Sequence, residues 1–289
     1  MQYDRHVVTR PWTDYELLDS GEGMKLERWG EVITARPETQ ALWAKRHPEQ
    51  WRDAHATFAS DAGKGAWKKA PEAPDGWQMA WEDARIELRL TSFKHTGLFP
   101  EQAPNWSWSK ERIAALGSEP SILNLFGYTG ASTLVSASGG ASMTHLDASS
   151  PAIQWAKENQ KISGMEKVPI RWILDDALKF VKREARRGVK YDAIILDPPV
   201  FGRGPKGEIW KIKENLVPLL YACKEVLSGM PVFIIITTYG LGESSILLKN
   251  LIADIVKGGA LENGEFCLKP KFGKNILPLS SFCLWKNLV

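Results

Sequence analysis

Residues 121–147 read SILNLFGYTGASTLVSASGGASMTHLD, and the fold is decided there. A short aliphatic run, SILNLF (121–126), enters a turn with glycines at 127 and 130. A second run, SMTHLD (142–147), ends on an acid. The same alternation continues outward through PIRWIL (169–174), YDAIILD (191–197) and VFIIITT (232–238). Several of these runs are nearly continuous in β-branched and aliphatic residues, the composition of parallel strands buried on both faces.

Helix punctuation separates the runs. Ser150-Pro151 places a capping hydroxyl before a proline at the first helical position, and Gly164 closes that helix. Asp176 is placed to cap ALKFVKREARR, whose Leu178, Val181 and Ala185 share one face, with Gly188 as the stop. Further on, GEFCL (264–268) and SFCLW (281–285) are expected as strands that pair as an antiparallel edge. The expected fold is therefore α/β, a doubly wound, seven-stranded Rossmann-like sheet. A small β-rich N-terminal domain, residues 1–90, is expected before it, with residues 91–289 forming the sheet domain.

The N-terminal region carries β-like pieces (YELLDS, KLERWG, EVITAR, IELRLTS) and a polar, Gly/Pro/Lys-rich stretch, SDAGKGAWKKAPEAPDG. Nine of the 13 tryptophans precede residue 110. They are expected to pack a small β domain; the competing role is stacking on bases beside Lys68 and Lys69.

Composition narrows the class. Hydrophobic residues at 44% and charged residues at 25% are the balance of a globular chain with a full core. No apolar run approaches the roughly 20 residues that span a bilayer, and MQYDRHVVTR does not resemble a signal peptide. A cytoplasmic protein with no membrane partner is expected. Cys223, Cys267 and Cys283 are widely spaced among apolar neighbours, so buried structural cysteines are expected, with neither disulfides nor a metal site. Residues 1–92 carry 13 Lys and Arg against 16 Asp and Glu, whereas the remainder carries 24 against 18. A basic second domain suits a polyanion such as RNA, and equally many metabolic enzymes.

Ligands of open parallel sheets bind beyond the carboxyl ends of the strands. There this sequence sets Phe126-Gly127-Tyr128-Thr129-Gly130, Asp147, Asp175-Asp176 and Asp197-Pro198-Pro199. A glycine turn lets backbone approach a ligand that a Cβ would block. An acid ending the second strand can accept both hydroxyls of a ribose. An acid after the third can receive an adenine amino group, and either Asp175 or Asp176 can do so while the other caps the helix. The turn lacks the GxGxxG of nicotinamide binding, and no GxxxxGK[ST] occurs, which excludes a P-loop.

With these motifs in order, the sequence resembles the RNA-type class I S-adenosylmethionine-dependent methyltransferases. Their N-L-F-x-Y-[ST]-G turn and acidic ribose binder match residues 124–147, and their fourth motif matches LDPPVFG. FKHTGLFPEQ (93–102) is similar to the TG-x-F-x-x-Q segment of the large-subunit rRNA (cytosine-5) methyltransferase group. The likeness covers roughly residues 90–289. It implies S-adenosylmethionine as cofactor, contacted by Phe99, Gln102, Phe126, Gly127, Gly130, Asp147 and Asp176, and RNA, above all ribosomal RNA, as partner.

The acceptor atom follows from Asp197. Its carboxylate and the Pro198 carbonyl can accept hydrogen bonds from an amino group and aim its lone pair, while a nearby aromatic stacks the base. In amino-group methyltransferases that aromatic follows the second proline; here Val200 intervenes and Phe201 takes the part. Carbon-5 methylation would need a thiolate, yet the stretch after the fifth strand reads Thr237-Thr238-Tyr239-Gly240, and Cys223 falls on an apolar helix face. A nitrogen, or another position needing no cysteine, is expected. The segment Gly202–Lys211 is expected to be a flexible basic loop that contacts phosphates through Arg203 and Lys206. Two other functions remain: the same chemistry on a protein or small molecule, and cofactor or RNA binding without turnover.

Overall fold

The computed structural model describes residues 5–61, 64–239 and 244–288. They form two compact units, each discontinuous in sequence. One comprises Val8–Pro104 with Phe266–Leu279; the other comprises Met1–Val7, Asn105–Glu265 and Ser280–Val289.

Strand β1 (Arg5–Val8) precedes the first of these units. That unit holds β2 (Tyr15–Gly21), β3 (Met24–Trp29), β4 (Val32–Pro37), β5 (Ala56–Asp61) and β6 (Lys64–Lys69) in one sheet. A separate hairpin joins β7 (Gly76–Trp81) to β8 (Ala84–Arg89). The polar stretch after residue 60 contributes β6, where Trp67 faces Phe58 in register with ring centroids 5.3 Å apart. Tryptophans pack this unit. Trp29 is fully buried, edge-on to Tyr15 at 4.7 Å, and donates to Thr34 Oγ1 over 2.9 Å. Trp12 lies against Trp81 at 4.6 Å and donates to the Ala80 carbonyl over 2.7 Å.

Charges are also buried here. Glu27 receives both Nε and Nη2 of Arg36, and the Tyr15 hydroxyl donates to it over 2.8 Å. Lys25 lies 3.6 Å from Glu27 and 3.4 Å from Glu38. Burial pushes the Glu27 carboxyl up, but Arg36 and Lys25 outweigh it and hold the pKa below its usual value.

The second unit follows with α1 (Ala103–Ala114), β9 (Ser121–Leu125), α2 (Ala131–Ser138), β10 (Ser142–Asp147), α3 (Ser150–Ile162), β11 (Ile170–Leu174), α4 (Ala177–Arg186) and β12 (Ala193–Leu196). Then come β13 (Phe201–Arg203), β14 (Ile209–Lys211), α5 (Ile212–Val226), β15 (Phe233–Tyr239), α6 (Ser245–Ala253), β16 (Ala260–Leu268) and β17 (Leu277–Lys286). The main sheet runs β1-β16-β17-β15-β12-β9-β10-β11. It therefore has the seven expected strands plus β1 at the edge. β11, β10, β9, β12 and β15 are parallel, and β17 is antiparallel to β15. The chain winds outward on both sides of β9, so the sheet's topological switch point lies between β9 and β12.

Two local expectations change. The cap of α3 is Ser149, whose hydroxyl accepts from Ala152 N at 3.3 Å, because Asp147 Oδ1 holds the Ser149 amide at 2.8 Å and keeps that residue extended. Gly202–Lys211 is a hairpin, β13 against β14, rather than a flexible loop, because Trp210 anchors it. No helix among the described residues is long and apolar enough to cross a membrane.

Removing one partner of a buried ion pair costs about 3–5 kcal/mol, because the other charge is left uncompensated. Glu27→Ala is expected to destabilise the first unit by about that amount, read as a shifted urea midpoint; a change under about 1 kcal/mol would show that the pair contributes nothing net.

Candidate active site at the carboxyl edge of the parallel sheet

Strand register assembles the edge. Leu125 pairs with both Leu146 and Leu196, and Leu196 pairs with Ile236. The next residues, Phe126, Asp147, Asp197 and Thr237, therefore emerge at one level. Leu174 pairs with Asp147, so Asp175 and Asp176 follow directly.

The turn between β9 and α2 is strained. Phe126 and Tyr128 both adopt left-handed backbone, with φ of 59° and 51°. Each such non-glycine residue costs about 1–2 kcal/mol, so other contacts must hold the turn. Gly127 N–H donates to the Leu146 carbonyl over 3.0 Å and Tyr128 N–H to Asp147 Oδ2 over 2.9 Å. Asn159 donates to the Thr129 carbonyl over 2.8 Å, and Phe126 packs on Trp210 with centroids 4.8 Å apart.

The glycines have reasons other than ligand approach. A Cβ at Gly127 would lie 2.4 Å from Cε1 of His145. Gly130 has a left-handed φ of 89°, and a Cβ there would lie 3.0 Å from that of Ala156. His145 is the residue that sequence reasoning missed. Fully buried, it places Nδ1 2.8 Å from Thr133 Oγ1, which in turn accepts from Asn124 Nδ2 over 2.8 Å. Asn124 can only donate through that nitrogen, so the Thr133 hydroxyl spends one lone pair on it and bridges Asn124 to the ring. Burial lowers the His145 pKa to about 3, so the ring is neutral. The available signal was lateral: His145 and Asn124 are register partners, two polar residues side by side in apolar strands.

Four aspartates of the edge have four different settings. Asp147 accepts one backbone N–H on each oxygen, from Tyr128 and Ser149, and burial keeps its pKa raised against those donors. Each oxygen retains further lone pairs, enough for two more hydrogen bonds. Asp175 is paired with Arg183 at 2.6 Å and also holds the Asp176 amide. Asp176 caps α4 by accepting from Lys179 N over 2.9 Å through one oxygen. Asp197 is partly buried; desolvation raises its pKa to about 6, while a hydrogen bond from Thr237 pulls the other way.

Beyond Asp197, Pro198 is buried, and the Pro199 carbonyl accepts the Trp210 indole N–H over 2.6 Å. Phe201 stands exposed on β13, with Arg203 two residues on and Lys206 in the hairpin turn. Phe99 and Gln102 belong to the other unit, around the short 3-10 helix Pro100–Gln102. There Phe99 lies 5.0 Å from the His95 ring and Gln102 is buried. All three cysteines are buried, and burial pushes the thiols of Cys223 and Cys283 up to about 12. Thr237 and Thr238 fall within β15 and are buried, and Gly240 lies outside the described residues.

The model of the S-adenosylmethionine-dependent methyltransferase family matches residues 26–236. The ribosomal RNA large subunit methyltransferase K/L of Shewanella frigidimarina is 31% identical over 209 residues, covering 72% of this chain but only 28% of that protein. The ribosomal RNA large subunit methyltransferase K of Neisseria meningitidis is 26% identical over 237 residues, covering 78% of this chain and 65% of its own length. Among solved structures, the SAM-dependent methyltransferase from Agrobacterium tumefaciens superposes with a TM-score of 0.94 at 39% identity, over 99% of this chain and 94% of that one. SMU.776, solved with SAH, shares the fold at a TM-score of 0.73 and 20% identity, over 94% of this chain and 75% of its own.

The cofactor is S-adenosylmethionine, and the edge suits it: a half-buried carboxylate with spare acceptors beside the Phe126–Gly130 turn. Gly127→Ala is expected to weaken S-adenosylhomocysteine binding by about fivefold or more, since overpacking against the buried ring costs about 1–3 kcal/mol. Adding His145→Ala to that variant removes the collision and should recover part of the affinity by calorimetry. A double variant no tighter than Gly127→Ala alone would refute His145 as the cause.

Proposed function

Because the chain belongs to the S-adenosylmethionine-dependent methyltransferase family, we propose that it methylates RNA, ribosomal RNA first, at a nitrogen or another position needing no cysteine nucleophile. The observation that carries this reading is Asp197: a carboxylate at the sheet's switch point, its pKa raised by burial to about 6, in a chain whose three cysteines are all buried. Two further facts favour RNA. The curated relatives are named for ribosomal RNA, and the residues after 92 carry more Lys and Arg than Asp and Glu.

Bound S-adenosylmethionine supplies an electrophilic methyl group on a sulfonium. Asp147 would hold the ribose hydroxyls through its spare lone pairs, beside the Phe126–Gly130 turn. Asp176 would meet the adenine amino group with the oxygen not used in its helix cap. Phe99 and Gln102 are assigned to the same cofactor through the motif they share with related enzymes. Asp197 and the Pro198 carbonyl would accept hydrogen bonds from the acceptor's amino group and direct its lone pair, so that positioning supplies most of the acceleration. Among the described residues nothing donates to that carbonyl, whereas the Pro199 carbonyl is taken by Trp210. Once the methyl has moved, the nitrogen has a surplus proton and Asp197 is placed to take it. Phe201 would stack the target base. The N-terminal unit, residues 1–90 in the sequence division, would contribute to substrate recognition.

Asp197 must be ionised to accept. With a pKa of about 6, kcat/KM is expected to fall about tenfold per pH unit below 6 and to level off above it. Asp197→Asn should abolish that limb and lower kcat by about 10²–10⁴-fold, leaving S-adenosylhomocysteine affinity unchanged. Transfer of labelled methyl to RNA, protein and metabolite fractions from cells lacking the gene identifies the acceptor. Label entering protein or metabolites alone would overturn the RNA reading, and full transfer by Asp197→Ala would overturn the role of that residue.

A further inference from the structure

We infer that the solvent face of the β13–β14 hairpin is the strand-binding surface for the acceptor, and that it takes unpaired, single-stranded RNA in preference to duplex. The inference rests on the RNA reading above and deepens it. Register divides the hairpin into two faces: Phe201 pairs with Lys211, Gly202 with Trp210 and Arg203 with Ile209. Cross-strand partners share a face. Phe201, Arg203, Ile209 and Lys211 therefore stand together, while Trp210 lies on the opposite side.

The two faces differ in burial and in chemistry. Trp210 is buried, packs on Phe126 of the cofactor turn and bonds the Pro199 carbonyl, so the hairpin has a fixed position beside Asp197. The other face is open: Phe201 is 55% and Ile209 58% exposed. Two large apolar side chains thus stand in solvent on one face of strands of three residues, each paired across the hairpin with a cation.

The charges favour a polyanion. Glu208, the only acidic residue of the hairpin, is taken up by Lys179 at 2.7 Å and by the Lys206 amide at 2.8 Å. Arg203 has no ion pair among the described residues. Lys211 pairs with Glu214 at 2.9 Å, but both are exposed, and such a pair is readily exchanged for a phosphate. Lys206, in the turn, extends the cationic edge.

Bases lie flat on aromatic and aliphatic side chains only when they are unstacked from their neighbours, and phosphates flanking them pair with Arg and Lys. An amino group inside a duplex is hydrogen-bonded and out of reach of Asp197, so the same preference follows from the chemistry. This face offers both contacts, two apolar platforms alternating with two cations, within one hairpin.

Fluorescence anisotropy of a labelled single-stranded RNA oligonucleotide and of its duplex, titrated with the full chain in saturating S-adenosylhomocysteine, tests this. Single strand is expected to bind at least tenfold more tightly than duplex. Arg203→Ala should weaken binding about tenfold and reduce the salt slope by about one ion. Ile209→Ala should weaken it about fivefold with the slope unchanged. Arg186→Ala, on the exposed end of α4, should change nothing. Equal binding of duplex, or RNA binding insensitive to Arg203 and Ile209, overturns the hairpin surface alone. No RNA binding by the unsubstituted chain, with methyl label entering another fraction, overturns the RNA reading and this surface with it.

Discussion

The contact between the His145 ring and the backbone at Gly127 is the constraint on which the site depends. Two non-glycine residues flank Gly127 in left-handed backbone, a conformation the chain would leave if released. It is held from beneath by a buried imidazole, whose orientation is set in turn by Thr133 and Asn124. It is held from the side by Asp147 and from above by the packing of Phe126 on Trp210. His145 and Asp147 both belong to β10 and Trp210 to β14, so strands on either side of β9 hold the turn in shape.

Identical side chains are given different tasks by their neighbours. Asp147, Asp175, Asp176 and Asp197 all leave the same edge, yet backbone amides, an arginine, a helix terminus and a desolvated niche set them apart. Burial raises the Asp197 pKa to about 6, against the pull of a single threonine hydroxyl. That value suits it to gain and lose a proton near neutrality.

The strands and their terminal acids were legible in the sequence because buried parallel strands leave an unmistakable apolar run and because the turn residues have a strong local signature. The cap of α3 was read one residue late: Ser149 and Ser150 are chemically equal, and the choice between them is made by Asp147, which no local pattern reveals. His145 was invisible for a related reason, since its partners Asn124 and Thr133 are distant in sequence and meet it only through strand register. The hairpin after Pro199 looked like a flexible loop on composition, and the single anchoring residue, Trp210, does not announce which carbonyl it will bond. Strand β6 lay hidden in a polar, lysine-rich stretch, because one of its faces needs only Trp67 to pack. Strand β1, at the sheet edge, is too short to carry a periodic signal.

The first unit includes Phe266–Leu279, which the chain reaches only after Asn105–Glu265. Within that segment Lys271 and Phe272 donate their amides to Leu17 and Leu18, and Phe272 packs on a small core of Leu18, Leu26 and Ala35. During synthesis β2 therefore waits as a bare sheet edge until the whole of Asn105–Glu265 has left the ribosome. A newborn chain of this kind spends most of its elongation with an open β-edge, the interval in which strand-to-strand aggregation is fastest and chaperone capture matters most.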